Sequence, residues 1–286
     1  SGEFNNKNTP GDPILYNEAF VAVGGEWGEL AAGRLANIFS GNGDFGLCPH
    51  INPSPMGTNF PNAGLTPIFS SGYYYNNSVI YNSPRVNGFH VAAMYSNGRD
   101  DDSVSRGKSD QFSALALTYI GESFKFAVIP TYIDSDSLKT ATVTPNDEYS
   151  IALLGSYWPE PTMGLHFGYQ FVRDGRALGG SYFNYFTPAA AGGPGIAKSE
   201  RGVDTHALSL GFSKRFGAQK ISIVLMGNKV EYKGDSAVDG DSEGWRVIPA
   251  TIYRYYLSKR THFWASASTS QSGGLYKKAR EFEKDP

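Results

Sequence analysis

The chain is 286 residues long, with 25 Lys+Arg against 27 Asp+Glu, a net charge of -2, charged residues at 18% and aromatics at 14%. This balance excludes the basic excess of a nucleic-acid-binding protein and the self-repulsion of a disordered chain. Mean hydropathy is -0.34 and no apolar run of about 18 residues occurs, which excludes a membrane-spanning helix, while the lone Cys48 excludes an intrachain disulfide and a thiolate-rich metal site.

In chain order, period-two alternation predicts twelve strands: 16–27, 28–36, 77–84, 88–97, 110–120, 123–133, 148–158, 163–173, 204–216, 219–232, 245–258 and 261–270. The pattern is clear where Met163, Leu165, Phe167, Tyr169 and Phe171 alternate with Gly164, His166, Gly168 and Gln170. It recurs where His206, Leu208, Leu210 and Phe212 alternate with Ala207, Ser209, Gly211 and Ser213. Short turns such as Gly217-Ala218 take turns with long connections at 37–76, 98–109, 134–147, 174–203 and 233–244. Short at one end and long at the other is the rhythm of an outer-membrane barrel. The opening Ser1-Gly2-Glu3-Phe4 carries no basic-then-apolar leader pattern, which leaves the compartment open.

Polarity points the same way. One face of the predicted sheet is large, apolar and aromatic; the other is built from Gly, Ser, Ala, Gln and His, too small and wet to pack a core. That describes a lipid-facing exterior around a water-filled lumen, and only closed barrels or helices satisfy every backbone group in lipid. Tyr95, Tyr119, Tyr132, Tyr157, Trp158, Phe216, Tyr232, Trp245 and Trp264 fall near strand ends, where interfacial girdles sit. The fold class expected is all-β, an antiparallel transmembrane β-barrel in one domain over 1–286.

Particular residues resemble a known family. Ala19 through Gly33-Arg34, the hairpin Asn77-Ser78-Val79-Ile80-Tyr81-Asn82-Ser83-Pro84 with Gly88-Phe89 and Met94-Tyr95-Ser96, and the turn Tyr256-Leu257-Ser258-Lys259-Arg260-Thr261 occur in order. They are similar to the general bacterial porins of the beta-proteobacterial kind. That resemblance implies a sixteen-stranded, homotrimeric channel in the Gram-negative outer membrane, seated in lipid and lipopolysaccharide. It implies passive diffusion of small hydrophilic solutes and ions, no enzymatic activity, no cofactor and no nucleic-acid partner. The twelve strands map onto the family's fourth to fifteenth. Twelve strands can close with a changed shear and tilt; the alternative is an open sheet with two bare edges. The resemblance also makes 37–76 the loop that folds inward and narrows the pore. Arg34 then matches the wall arginine and Asp44 is the one carboxylate on the loop; pairing of Arg34 with the loop for stability is the plainer alternative. Ile80 and Asn82 stand where the family often has another basic residue, and Arg85 lies just beyond, in the predicted turn, as a lumen-lining candidate.

Parity alone puts His90, Lys125, His166, Arg246 and Arg254 on the inner face, or at wet strand ends. Tyr73, Tyr74 and Tyr75 form an aromatic track if the channel selects a sugar or organic acid. Gly41-Asn42-Gly43-Asp44-Phe45-Gly46 has dinucleotide-motif spacing, but Cys48-Pro49-His50 cannot start the helix that motif needs. Cys48 reads as an inert loop thiol. Asp100-Asp101-Asp102, Asp134 with Asp136, and Asp235, Asp239, Asp241 with Glu243 read as solvated loop charge, with cation bridges to lipopolysaccharide as the alternative. A soluble β-rich hydrolase using Asp134 and Asp136 is the remaining alternative class. The five histidines have no metal-ligand spacing.

Overall fold

The computed structural model describes residues 18–40, 43–56, 69, 74–97, 111–134, 144–175, 201–233 and 242–276. Tyr73, Asp100-Asp101-Asp102, Asp136, Asp235, Asp239 and Asp241 lie outside the described residues. The first six strands are β1 Ala19–Gly25, β2 Gly28–Ala36, β3 Tyr74–Asn82, β4 Phe89–Ser96, β5 Phe112–Ile120 and β6 Phe124–Ile133. They continue as β7 Glu148–Glu160, β8 Met163–Gly175, β9 Val203–Phe216, β10 Gln219–Tyr232, β11 Glu243–Tyr256, β12 His262–Ser268 and β13 Gln271–Gly274. Each pairs antiparallel with the next, forming one sheet from β1 to β12, with β13 beside β11. Strand β3 starts at Tyr74 rather than 77, which moves Tyr74, Tyr75 and Asn76 from the loop into the wall.

Local chemistry sets the irregularities. β12 and β13 keep one register against β11, from Ala250↔Ser268 to Val247↔Gln271. The gap between them falls opposite Ile248 and Pro249, because proline brings no amide hydrogen to the ladder. Pro130 acts likewise in β6: the β5–β6 ladder stops at Ala114↔Thr131 and resumes at Leu117↔Val128. Between β2 and β3 the register jumps from Gly33↔Ser78 to Leu35↔Tyr75, so Asn76 and Asn77 together oppose Arg34. Asn77 takes the left-handed conformation, φ 49°, that asparagine tolerates in such a bulge.

The two faces separate as alternation requires. Leu208, Leu210, Ile223 and Leu225 are exposed, Leu210 at 52%, whereas Ala207, Ser209, Val224 and Met226 between them are buried. An apolar belt this wide is foreign to a soluble monomer and suits lipid. Aromatic rungs edge it. Phe89, Tyr119 and Phe126 step across three strands at 5.0 and 6.0 Å near the short turns, and Tyr132 meets Tyr149 at 5.1 Å near the long loops. Three expected girdle residues sit elsewhere. Tyr232 is buried with Val203, Val230, Leu275 and Tyr276. Trp158 packs on His166, and Trp264, opposite Arg254, shares the inner face.

The expectation of a wet, coreless interior is corrected. One buried cluster joins inward residues from β2 to β11, among them Leu35, Ile80, Met94, Ile129, Leu154, Met226 and Ile252, to Ile38, Phe39, Phe45, Leu47, Ile51, Met56 and Phe69. The sheet curls around the segment after β2 because alanine and serine on the wall leave room for its larger side chains. Among the described residues, β1 and β12 end the strand path. No described helix is long and apolar enough to cross a membrane.

The outward belt predicts a graded response to charge. Leu225, mid-strand in β10 and 53% exposed, lies at the depth where Leu225→Arg costs about 2–4 kcal/mol, against under about 1 kcal/mol for Gln219→Arg at the strand end. Urea titration of the protein folded in vesicles reads the difference.

Candidate functional site

The segment entering the interior is held at its root by a carboxylate. Glu18, one residue before β1, accepts the Ala36 amide at 2.8 Å with Oε1 and the Asp44 amide at 3.0 Å with Oε2. This fixes both ends of the turn that carries Asp44, whose own side chain is exposed. Arg34, paired with Ala19, donates from Nη1 to Asn76 Oδ1 at 2.6 Å and lies over the Tyr74 ring at 5.5 Å. Register sets Arg34, Tyr74 and Asn76 on the side opposite Leu35 and Tyr75. Leu35 and Ala36 are both fully buried, so strand β2 is covered on both sides as it ends.

Beyond the root, the Leu47 amide donates to Ile38 O at 2.8 Å, closing a compact loop. A single helical turn, α1 Cys48–Ile51, follows, with a proline in its first two positions, where the missing amide hydrogen does no harm. The expectation that no helix starts at Cys48-Pro49 is thus corrected, although one turn cannot present the amides a dinucleotide needs. Asn52 ends the turn with φ 56°. Cys48 is buried and donates from Sγ to Phe39 O at 2.9 Å; burial pushes its thiol pKa far up. Burial of this kind suits an inert loop thiol.

Two wall residues catch this turn from across the sheet. Ser156 Oγ on β7 donates to Ile51 O at 2.7 Å. His166 on β8, 3% exposed, has Nδ1 at 2.7 Å from Asn52 O and Nε2 at 3.1 Å from Ser213 Oγ. A carbonyl only accepts, so Nδ1 carries the hydrogen and, in the neutral ring, Nε2 accepts from Ser213. Glycine makes the space. A Cβ on Gly211 would stand 2.5 Å from Pro55 Cδ, and one on Gly168 would stand 3.1 Å from the Phe69 ring. Phe20–Phe45 at 5.1 Å and Phe39–Phe69 at 5.8 Å complete the seat.

The parity expectations fall as follows. His90, Lys125, His166, Arg246 and Arg254 share the face of Ala92, Ala127, Gly168, Ile248 and Ile252. His90 bonds Thr118 Oγ1 at 3.3 Å, and buried Arg246 donates from Nε to Ser270 Oγ at 3.0 Å. Arg85 lies in the exposed turn between β3 and β4. Tyr75 is buried, its ring 4.0 Å from that of Phe112, while Tyr74 points to the other face of β3, so the two rings form no shared track. Sequence reasoning missed Glu18 and Ser156. Glu18 precedes the first alternating residue, and Ser156 looks like any small inner-face residue. At the long-loop end, Asp174 Oδ1 accepts Arg201 Nε at 2.9 Å and the Gly202 amide at 3.0 Å, and Oδ2 accepts Asn146 Nδ2 at 3.2 Å. That carboxylate ties three chain segments together and raises the pKa of Arg201. No group of three or more His, Cys, Asp or Glu side chains among the described residues is placed to hold a metal ion.

An antiparallel wall with an apolar exterior, interfacial aromatics and a loop seated inside it defines a membrane β-barrel channel. The chain belongs to the Gram-negative porin family, whose model matches residues 1–274. It is 26% identical to an outer membrane porin protein of Bordetella pertussis, over 96% of this chain and 72% of that protein. Its fold is similar to the anion-selective porin from Comamonas acidovorans, at TM-score 0.59 and 17% identity over 91% of this chain and 68% of that one. It is also similar to outer-membrane expressed OmpT of Vibrio cholerae, at TM-score 0.56 and 11% identity over 90% of this chain and 70% of that one. The protein is an outer-membrane porin, a channel and not an enzyme, and the hydrolase alternative falls.

The seat of the loop predicts two outcomes. Replacing both anchors, Ser156→Ala with His166→Leu, removes two buried hydrogen bonds worth about 0.5–1.5 kcal/mol each. Amide exchange at Asn52, whose amide bonds Cys48 O at 2.8 Å, accelerates in that variant about tenfold per 1.4 kcal/mol lost. Separately, Cys48 resists maleimide at pH 8 in the folded protein, because burial favours the neutral thiol, and reacts readily once the protein is unfolded in denaturant.

Proposed function

We propose that residues 37–76 form the constriction of a passive diffusion channel for small hydrophilic solutes and ions, in a single barrel domain over 1–286. The observation that carries this reading is the buried cluster joining the loop to the inner wall from β2 to β11. Asp44 on the loop is its carboxylate, while Arg34, set by register on the side opposite inward Leu35, ties the wall to Asn76 and Tyr74 for stability instead. In support, Asp44 keeps its carboxylate exposed while Glu18 fixes its backbone. His90, Lys125 and Arg254 line the passage and Arg85 stands at its short-turn mouth. His166 and Arg246, both buried, hold the interior together instead. The protein works as a homotrimer with its apolar belt in outer-membrane lipid. Lipopolysaccharide lies around the long-loop rim near Asp134 and Glu243.

Planar-bilayer recording tests this. The reading expects stepwise, voltage-gated single-channel conductance, and a folded trimer that stays silent contradicts it. Asp44→Asn removes the loop anion and raises the chloride-over-potassium permeability ratio about twofold, whereas Arg34→Gln, on the other side of the wall, leaves it unchanged; no change in Asp44→Asn removes that residue from the constriction.

A further inference from the structure

The inner wall carries a second charged feature, away from the loop. Arg215 pairs with Lys220 across the β9–β10 ladder, and Lys220 pairs with Arg254 across β10–β11. Directly paired residues share a face, and this is the face of buried Ser213, Ser222 and Ile252. Three cations therefore stand side by side on adjacent strands, about 4.8 Å apart along the ladder, one rung in from the Gly217-Ala218 turn. Arg215 is held in place: its Nε donates to Gly217 O at 3.0 Å, and its guanidinium lies 4.9 Å from the centre of the Tyr256 ring.

Among the described residues, no carboxylate pairs with them. The ion pairs among the described residues use Arg173, Arg201, Lys214, Lys229 and Lys233, and none of the three. The described carboxylates of β9 to β12 are Asp204, Glu231 and Glu243. All three lie at the opposite strand ends, and Asp204 and Glu243 each pair with Glu231 on the outer face. Two residues deeper on β10, on the same face, the buried Ser222 hydroxyl has no hydrogen-bond partner. Like charges directly opposite one another destabilise a sheet, so this triad costs stability and returns none through ion pairing. A passing anion supplies the missing counter-charge, and low-dielectric walls focus the field of the three cations into the passage.

We infer that Arg215, Lys220 and Arg254 form an anion-attracting strip at the short-turn end of the channel, periplasmic in bacterial outer-membrane barrels, which biases passage toward small anions such as chloride, phosphate and carboxylates. The inference rests on the channel reading above and places selectivity at a point distinct from the loop.

The zero-current potential of the protein in planar bilayers under a potassium chloride gradient tests it. The wild type prefers chloride. Replacing all three residues (Arg215→Gln, Lys220→Gln, Arg254→Gln) lowers the chloride-over-potassium permeability ratio at least about threefold. The charge-retaining set Arg215→Lys, Lys220→Arg and Arg254→Lys keeps the ratio, as does Arg260→Gln in the neighbouring exposed turn. If the triple variant does not fold, the three single glutamine variants serve, each lowering the ratio. A conducting protein whose ratio is unmoved by the triple variant, or by every single one, overturns the strip while the channel stands. A wild type that conducts nothing overturns both.

Discussion

The demand that every backbone amide and carbonyl of a lipid-crossing strand be met by a neighbour governs the rest of this structure. Water is absent at that depth, so an unpaired group costs several kcal/mol. The response is an unbroken antiparallel path from β1 to β12 in nearly constant register. Its few interruptions have a local cause. Pro130 and Pro249 have no hydrogen to donate, and the ladder opens for two residues beside each before resuming in register. The Pro249 carbonyl remains in use, accepting the Thr269 amide at 3.2 Å. Once the ladder is fixed, the pleat assigns every side chain to lipid or interior, and a slip of one residue would exchange the two.

The interior then faces a packing problem that a simple water-filled tube does not have. Ile38, Phe39, Phe45, Ile51 and Phe69 enter it together. Burying each such side chain stabilises the loop by about 1.5–3 kcal/mol, which works against the chain entropy of holding a long connection in place. The wall makes this burial practicable by being built from small residues, and at Gly168 and Gly211 by having no side chain at all. Direction comes from polar contacts. Glu18 fixes the root of the loop, and Ser156 and His166 donate to the carbonyls of its helical turn at one place on β7 and β8. Apolar burial supplies the hold, and these few hydrogen bonds choose the pose.

The wall was legible in the sequence because alternation is a local signal. The twelve expected strands all form, and the five residues set inward by parity, from His90 to Arg254, share the inner face. What was not legible depends on contacts distant in sequence. Tyr75 looked like a loop residue because the bulge at Asn76-Asn77 breaks the period just where β3 begins. Tyr232 looked like a girdle residue because it ends a strand, but Leu275 and Tyr276, more than forty positions away, fold over it. Ser156 is one small residue among many until Ile51, 105 residues earlier, is laid against it. The interior looked coreless because small residues dominate the inner face, whereas Ile80, Ile129, Leu154 and Ile252 on it meet the apolar side chains of a loop that has no periodicity to read.

Charge is distributed by the same logic, which is why a whole-chain sum says little about the passage. The chain carries a net charge of -2, yet the carboxylates of β9 to β11 that pair across the ladder lie on the outer face at the long-loop ends. They stand there among lysines that partly neutralise them: Lys229 pairs with Glu243 at 3.0 Å and Lys233 with Glu231 at 2.5 Å. Salt screens exposed charges beyond about 8 Å at physiological ionic strength, so those groups act on the rim alone. The inner-face cations at the other end meet no such neighbours and are backed by a low-dielectric wall. Two channels of identical composition can therefore differ in selectivity through nothing more than the parity of their charged positions, since moving a lysine by one residue takes it from the passage to the lipid.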